Sequence, residues 1–230
     1  LSFLGHLVIE DECISEILLE HESPSAPCDV DIDATGMFLI PGVIDDHVHF
    51  RDPGLTHKAD IVSESCAAAA GGVTSYMDMP NTIPQTTSIE TLEAKFAEAS
   101  TKSMVNYSFF FGATNDNAAI LPFLDKQKLC GVKLFMGSST GNMLVDRQES
   151  LKKIFSDAGM LIMTHCEDQQ IIQENTERVK ALEGDDPDVR FHPIIRDSEA
   201  CYRSTAQAVE LAKETGARLH IMHISTAKEL

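Results

Sequence analysis

The stretch Pro41-Gly42-Val43-Ile44-Asp45-Asp46-His47-Val48-His49-Phe50-Arg51 combines a short apolar run with two histidines near its end. Side chains two residues apart on a β-strand point to the same face, so His47 and His49 can bind one metal ion together. An isolated pair of this kind is weak evidence, because core and surface histidines are common. The stretch predicts a strand whose carboxyl end carries a metal-binding pair, and the rest of the chain decides whether other ligands converge on it.

Outward from this stretch, the sequence alternates between short apolar runs and amphipathic segments. The apolar runs have the length of parallel strands that are buried on both faces, and they lie at 38–50, 72–80, 106–113, 131–137, 160–166 and 218–225. Between them, capping and stop signals predict helices at 58–70, 88–100 (after Thr87, with Glu90), 147–158 (after Asp146, with Glu149) and 198–215 (between Asp197 and Gly216). Strict alternation of this kind predicts a parallel sheet with crossover helices, the α/β class.

Two α/β architectures fit this alternation of strands and helices. A closed barrel needs eight strand–helix units, of which about six are visible, whereas a doubly wound open sheet can have fewer. No Gly-x-Gly-x-x-Gly follows the first strand, so the open sheet lacks its usual nucleotide-binding signature. Residues 1–38 follow another pattern, short apolar runs broken by acidic and Pro-containing segments, which predicts a small antiparallel sheet. We therefore divide the chain into a β-sheet subdomain at 1–38 and an α/β domain at 39–230.

Composition excludes several classes of partner. The 36 acidic residues against 18 Lys and Arg give a formal net charge of -18, which repels nucleic acids and anionic membranes. No apolar run approaches the roughly 20 residues that span a bilayer. The six cysteines include no Cys-x-x-Cys pair, which indicates free thiols in a reducing cytoplasm. We expect a cytoplasmic protein that acts on a small molecule.

Further candidate ligands fall in the later apolar runs. They are Lys133 in the fourth predicted strand, His165 at the end of the fifth and His223 at the end of the sixth. A lysine in a buried strand is costly unless it reaches solvent, is paired or is chemically modified. Carboxylation by carbon dioxide would turn its amine into an anionic carbamate that can bridge two cations. Four histidines and one lysine at the ends of strands one, four, five and six are hard to produce by accident, and together they predict a metal site.

The order of these motifs resembles that of a known family. His47-Val48-His49-Phe50-Arg51-Asp52-Pro53-Gly54, followed by Leu55-Thr56-His57-Lys58, is similar to the signature of dihydroorotases in the amidohydrolase superfamily. The later motifs follow in the family's order: Met79-Pro80-Asn81-Thr82, Lys133, Thr164-His165-Cys166-Glu167 and His223-Ile224-Ser225. The resemblance runs from about Phe38 onward. It implies a TIM-type (β/α)8 barrel of the metal-dependent hydrolase kind, incomplete in this chain, beside a small β-sheet subdomain.

The resemblance also implies a centre of two Zn²⁺ ions. His47 and His49 would hold the first ion, His165 and His223 the second, and carboxylated Lys133 would bridge them. In relatives the general acid/base is an Asp of the eighth strand, which this sequence does not contain, so the catalytic residue is left unassigned. We expect the 230-residue chain by itself to fold poorly and to be inactive.

Arg51 distinguishes between the activities of the superfamily. Dihydroorotate carries a free carboxylate, which a planar guanidinium group can bind in two places. Relatives that act on hydantoins, dihydropyrimidines or allantoin do not generally need that arginine. Asn81 resembles the family's second substrate contact. Together these residues predict the reversible interconversion of dihydroorotate and N-carbamoyl-aspartate in pyrimidine biosynthesis.

Two alternatives stay open at this point. The first is a related cyclic amidohydrolase, an allantoinase or hydantoinase, which Arg51 disfavours. The second is a non-catalytic, dihydroorotase-like scaffold partner of aspartate transcarbamoylase, which the filled ligand positions disfavour. The sequence leaves undecided the identity of the metal, the formation of a homodimer and any association with aspartate transcarbamoylase.

Overall fold

Six parallel strands form one sheet whose spatial order is the same as their order in the chain. In the computed structural model, which describes residues 2–137 and 141–230, these strands are β3 (Val43–Val48), β4 (Val73–Asp78), β5 (Asn106–Gly112), β6 (Gly131–Phe135), β7 (Ile162–His165) and β8 (Leu219–Ile221). An open doubly wound sheet reverses its strand order at a switch point, and this sheet does not. The strands form a half-barrel, as expected for part of a TIM-type barrel.

The chain divides into two compact units, Leu1–Pro41 and Gly42–Leu230. In the first unit, β1 (Gly5–Glu10) pairs with β2 (Cys13–Leu19) in antiparallel register, from Gly5 opposite Leu19 to Glu10 opposite Cys13. The prediction of a small antiparallel sheet in this part of the chain is therefore confirmed. The sheet of six strands lies entirely in the second unit.

Six α-helices connect the strands of the half-barrel in the described part of the chain. They are α1 (Ile61–Ala70), α2 (Ile89–Lys102), α3 (Gln148–Asp157), α4 (Gln169–Glu183), α5 (His192–Ile195) and α6 (Ser198–Thr215). The predicted α6 is confirmed at both ends: the Asp197 side chain accepts the backbone N–H of Ala200, and Gly216 ends the helix with a φ of 72°. No helix among the described residues is long and apolar enough to cross a membrane.

Several helix predictions were wrong in detail. Helix α1 begins at Ile61, after Asp60, and not at residue 58. Helix α2 is capped by Ser88, not Thr87, in a capping box with Thr91, not Glu90. Helix α3 begins after Arg147, because the Asp146 carboxylate instead accepts a hydrogen bond from Asn115. Helix α4 was not predicted at all; its buried residues are only Ile172, Asn175 and Val179, and so its apolar stripe is too narrow to stand out.

The alternation of side chains along β6 determines where the site lies. Val132 and Leu134 point outward into the main hydrophobic core between the sheet and the helices. Lys133 therefore points to the opposite, inner face, where Phe110, Met163 and other apolar residues form a second buried cluster. Its neighbours across the ladder are Gly112 on β5 and Met163 on β7. A lysine is thus placed at the centre of the sheet's inner face.

Ser88→Ala should lower the free energy of unfolding by about 1 kcal/mol, because it removes the side-chain acceptor for the Thr91 N–H at the start of α2. Urea unfolding of the intact protein measures the change. Ser100→Ala, an exposed substitution in the same helix, is the matched control and should change stability by less than about 0.5 kcal/mol. Equal effects of the two substitutions would show that the capping box does not stabilise the helix.

Candidate metal centre

Two histidines lie together at the carboxyl end of the first strand of the half-barrel. His47 is on β3 and His49 follows it, and both are half-buried. Their Nε2 atoms are 3.3 Å apart. The other ring nitrogen of His49, Nδ1, is 2.8 Å from Oδ1 of Asn81, which follows β4. If Nδ1 donates its proton to Asn81, the Nε2 lone pair of His49 is left available beside His47.

A second histidine pair comes from the far side of the half-barrel. His165 ends β7, and His223 lies just beyond β8 in a left-handed backbone conformation with φ of 39°. His165 Nδ1 is 3.1 Å from His223 Nε2. The ring centroids of His223 and His47 are 5.6 Å apart, so the two pairs adjoin. The structure thus brings together the four histidines predicted from strand ends that are far apart in sequence.

Lys133 is buried on the inner face of the same sheet end, with a relative exposure of 1%. Its Nζ atom lies 2.9 Å from the sulfur of Met222 and 4.8 Å from the centroid of the Phe135 ring. Burial lowers the pKa of Lys133 to about 8. Its charge also acts on His47, His49 and His223. The predicted lysine is therefore part of the histidine cluster and does not reach solvent.

The spacing of the histidine nitrogens is suited to chelation of zinc. Two nitrogens bound tetrahedrally to one Zn²⁺ at about 2.0–2.1 Å are about 3.3–3.4 Å apart. The separations of 3.3 Å in the His47–His49 pair and 3.1 Å in the His165–His223 pair are close to this value. Among the described residues, no group of three or more His, Cys, Asp or Glu side chains is arranged to hold one ion. Each histidine pair supplies two donors, so an ion bound there would need further donors, such as a modified Lys133.

The electrostatics of the cluster favour neutral imidazoles, which is the form that binds metals. Burial, together with the positive charge of Lys133 and the other histidines, lowers the pKa of His47 to about 4. Burial and the Arg51 guanidinium lower the pKa of His49. Burial and His165 lower that of His223. Near neutral pH these three rings are uncharged and can each offer a lone pair.

Arg51 lies beside His49 at the open end of the strands. It has a left-handed φ of 66°, which costs a non-glycine residue about 1 kcal/mol. Within the described residues, its guanidinium group has no hydrogen-bond or ion-pair partner. The geometry therefore leaves this charge available to an anionic ligand. Asn81, the other predicted substrate contact, is held against His49 through its Oδ1 atom.

Sequence reasoning missed two carboxylates that support the site. The buried Asp78 accepts the backbone N–H of Phe50 at 3.0 Å and pairs with buried Lys95 at 2.6 Å. Glu167 lies 2.6 Å from His165 Nε2 and also pairs with Arg196. Burial alone would raise the pKa of Glu167, but the hydrogen bonds from His165 and Arg196 outweigh it and hold the pKa below its usual value. The spacing could have indicated Glu167 from sequence, because it lies two residues after His165 and such a spacing on a strand places both side chains on one face.

His220 and Cys166 are close in sequence to the candidate ligands. His220 is exposed on β8, opposite Met163 in the ladder, and Cys166 packs in the main hydrophobic core. Burial raises the pKa of the Cys166 thiol, as expected for a packed side chain and not for a thiolate ligand.

Residues 36–229 match the model of the Dihydro-orotase-like family. This chain belongs to that family. It is 34% identical to the dihydroorotase of Methanosarcina mazei over 226 residues, which are 96% of this chain and 48% of the relative. It is also 34% identical to an allantoinase of Desulfitobacterium hafniense over 224 residues, 92% of this chain and 48% of the relative.

Solved structures agree with the family. The L-hydantoinase (dihydropyrimidinase) of Arthrobacter aurescens superposes with a TM-score of 0.87 at 27% identity, over 97% of this chain and 50% of that one. The chain therefore spans about half the length of the relatives it matches. These relatives are a dihydroorotase, an allantoinase and an L-hydantoinase, so they include more than one substrate class.

In the metal-free protein, NMR titration of His47 should give a midpoint near pH 4, well below the ordinary value of about 6.5. Because the folded-state pKa lies below the unfolded-state pKa, the unfolded state binds more protons between these values. His47 should therefore contribute stability above about pH 6.5 that is lost as the pH falls toward 4. Lys133→Met, which removes a nearby positive charge, should raise the midpoint. A midpoint near 6.5 in the unaltered protein would contradict the described geometry.

Proposed function

We propose that the intact protein is a zinc-dependent dihydroorotase, which reversibly converts dihydroorotate to N-carbamoyl-aspartate in pyrimidine biosynthesis. The observation that carries the proposal is the convergence of two histidine pairs at chelating distances on the strand ends around buried Lys133. Membership of the dihydroorotase-like family supports the reaction class, hydrolysis of a cyclic amide.

In this proposal the histidine pairs and Lys133 hold two Zn²⁺ ions. His47 and His49, whose Nε2 atoms are 3.3 Å apart, would hold the first ion, and His165 and His223 would hold the second. Bound zinc would supply Lewis acidity and lower the pKa of water toward neutrality. The contribution of the chain is to present neutral imidazoles at fixed positions, in a cleft whose floor is apolar.

Lys133 is suited to carboxylation by carbon dioxide. Only an uncharged amine adds to carbon dioxide, and burial holds the pKa of Lys133 at about 8, more than two units below its ordinary value of 10.5. The apolar surroundings of Phe110, Met163 and Met222 disfavour the ammonium form further. A carbamate carries two oxygen donors and a negative charge, so it could bridge the two ions and partly offset their charge.

Arg51 and Asn81 would bind the substrate. The Arg51 guanidinium group, without a partner in the described part of the chain, can bind the free carboxylate of dihydroorotate in two places. The Oδ1 atom of Asn81 is already engaged by His49. The Nδ2 group is left to donate a hydrogen bond to a substrate oxygen. Proton transfer is not assigned to a residue of this chain.

A second candidate function is an allantoinase or hydantoinase activity. It is favoured by one observation, which is that the chain is as similar to an allantoinase as to a dihydroorotase, 34% in each case. Neither allantoin nor hydantoin carries a carboxylate for Arg51 to bind. The two candidates therefore predict different responses to a change at Arg51.

The first experiment follows ring closure of N-carbamoyl-aspartate by the intact protein before and after metal is stripped and zinc restored. We expect turnover to be lost on stripping and recovered with zinc. Turnover that is absent with zinc fully bound would exclude a dihydroorotase and direct the assay to allantoin and hydantoin. Failure to bind zinc would favour the non-catalytic scaffold, whose association with aspartate transcarbamoylase could then be measured.

Arg51→Met should reduce kcat/KM for dihydroorotate by about 10- to 100-fold, because a charge-assisted hydrogen bond contributes about 1.5–3 kcal/mol. Steady-state kinetics measure the effect, and Lys58→Met, an exposed change in the same loop, is the control that should leave kcat/KM unchanged. Arg51→Met should still bind zinc, because Arg51 is not one of the proposed ligands. If kcat/KM for dihydroorotate is unaffected, the carboxylate is bound elsewhere and the assignment of substrate fails.

A further inference from the structure

A partly buried ion pair lies behind His165, on the side away from the other histidines. Glu167, with a relative exposure of 8%, faces His165 Nε2 at 2.6 Å through its Oε2 atom. Arg196 donates from Nε to Oε1 at 2.8 Å and from Nη2 to Oε2 at 2.7 Å. One carboxylate oxygen is therefore shared between the His165 ring and the guanidinium group. The opposite ring nitrogen, Nδ1, is the one that faces His223.

The backbone on both sides of Arg196 is itself anchored. Asn175, buried on α4, donates from Nδ2 to the carbonyl of Ile195 at 3.2 Å and to the carboxylate of Asp197 at 3.1 Å. Asp197 in turn accepts the backbone N–H of Ala200 and so begins α6. The guanidinium group of Arg196 is thus presented from a segment fixed by two helices. Such a segment can hold a partner group at a constant position.

Two other roles for Arg196 fit these contacts less well. Its Nε and Nη2 atoms both donate to Glu167, so this edge of the planar fork is not available to a substrate carboxylate. A purely structural ion pair would satisfy the carboxylate without involving a ring nitrogen of a candidate ligand. Here the ring of His165 is the third member of the group.

We propose that Arg196 is a positioning residue, which acts through Glu167 to fix the tautomer and ring orientation of His165. The carboxylate of Glu167, held by the guanidinium group, accepts the proton on Nε2, and so the lone pair is left on Nδ1, toward His223. Without Arg196, the carboxylate can turn to water and the ring loses the partner that selects its tautomer. The inference rests on the proposed function, because it concerns the proposed second zinc site, and it adds a residue that touches neither metal nor substrate.

The test compares Arg196→Met with the unaltered intact protein and with Arg147→Met. Arg147 makes an exposed ion pair with Asp116 on another part of the surface, so it is a matched control. Zinc affinity is measured by competition with a chelator, and the His165 tautomer is measured by 15N NMR of the metal-free protein. We expect zinc to bind about 10- to 100-fold more weakly in Arg196→Met, with partial recovery in Arg196→Lys and no change in Arg147→Met. We also expect the Nε2–H tautomer to lose its dominance in Arg196→Met.

A second variant keeps the test decisive if Arg196→Met folds poorly. Glu167→Gln keeps an acceptor for His165 but removes the charge that binds Arg196, and adding Arg196→Met to it should weaken zinc binding little further. Unchanged zinc affinity and an unchanged tautomer in folded Arg196→Met or Glu167→Gln would overturn the inference and leave the proposed function intact. An unaltered protein that binds no zinc would overturn the proposed metal centre, and the inference with it.

Discussion

The parallel hydrogen-bond ladder from β3 to β8 is the constraint on which the whole candidate site depends. It sets Lys133 opposite Gly112 and Met163, and Phe135 opposite His165. Because side chains alternate along a strand, a slip of one residue in β6 would turn Lys133 toward the helices and bring Leu134 to the inner face. The apolar residues that face the helices therefore fix the register, and the register places the polar residues at the strand ends.

The polar groups at one end of this buried sheet need hydrogen-bond partners on the side away from the candidate site. Two buried carboxylates, Asp78 and Glu167, provide them, each with a cationic partner that comes from a helix or a helix connection. Asp78 holds the backbone just after His49, at the N–H of Phe50, and Glu167 holds the ring of His165. Asp78 and its partner Lys95 are both buried, and breaking such a pair typically costs about 3–5 kcal/mol. Glu167 is also buried, whereas Arg196 is partly exposed. These ion pairs limit the ways in which the groups behind the histidines can rearrange.

The sequence was sufficient to predict the strands and the convergence of the site residues. Apolar runs indicate the strands, and the carboxyl ends of parallel strands meet at one edge of the sheet. Apolar runs predicted all six strands of the half-barrel, and Asp197 with Gly216 predicted both ends of α6. Helix α4 escaped prediction because its apolar stripe is narrow. The identity of the groups that orient His49 and His165 could not be predicted, because it depends on which ring nitrogen each residue approaches. That approach is a property of the tertiary packing, not of spacing along the chain.

Overall similarity does not distinguish the activities within this family, because this chain is equally similar to a dihydroorotase and to an allantoinase. Under the proposed function, the histidine and lysine ligands would serve cleavage of the cyclic amide whatever the substrate. Discrimination must then come from groups that contact parts of the substrate outside the reacting amide. Arg51 is such a group, a charge without a partner in the described chain, held beside His49 at a backbone angle that glycine would adopt more easily. Under the proposed function, a bound carboxylate would supply the partner that this guanidinium group lacks in the described part of the chain.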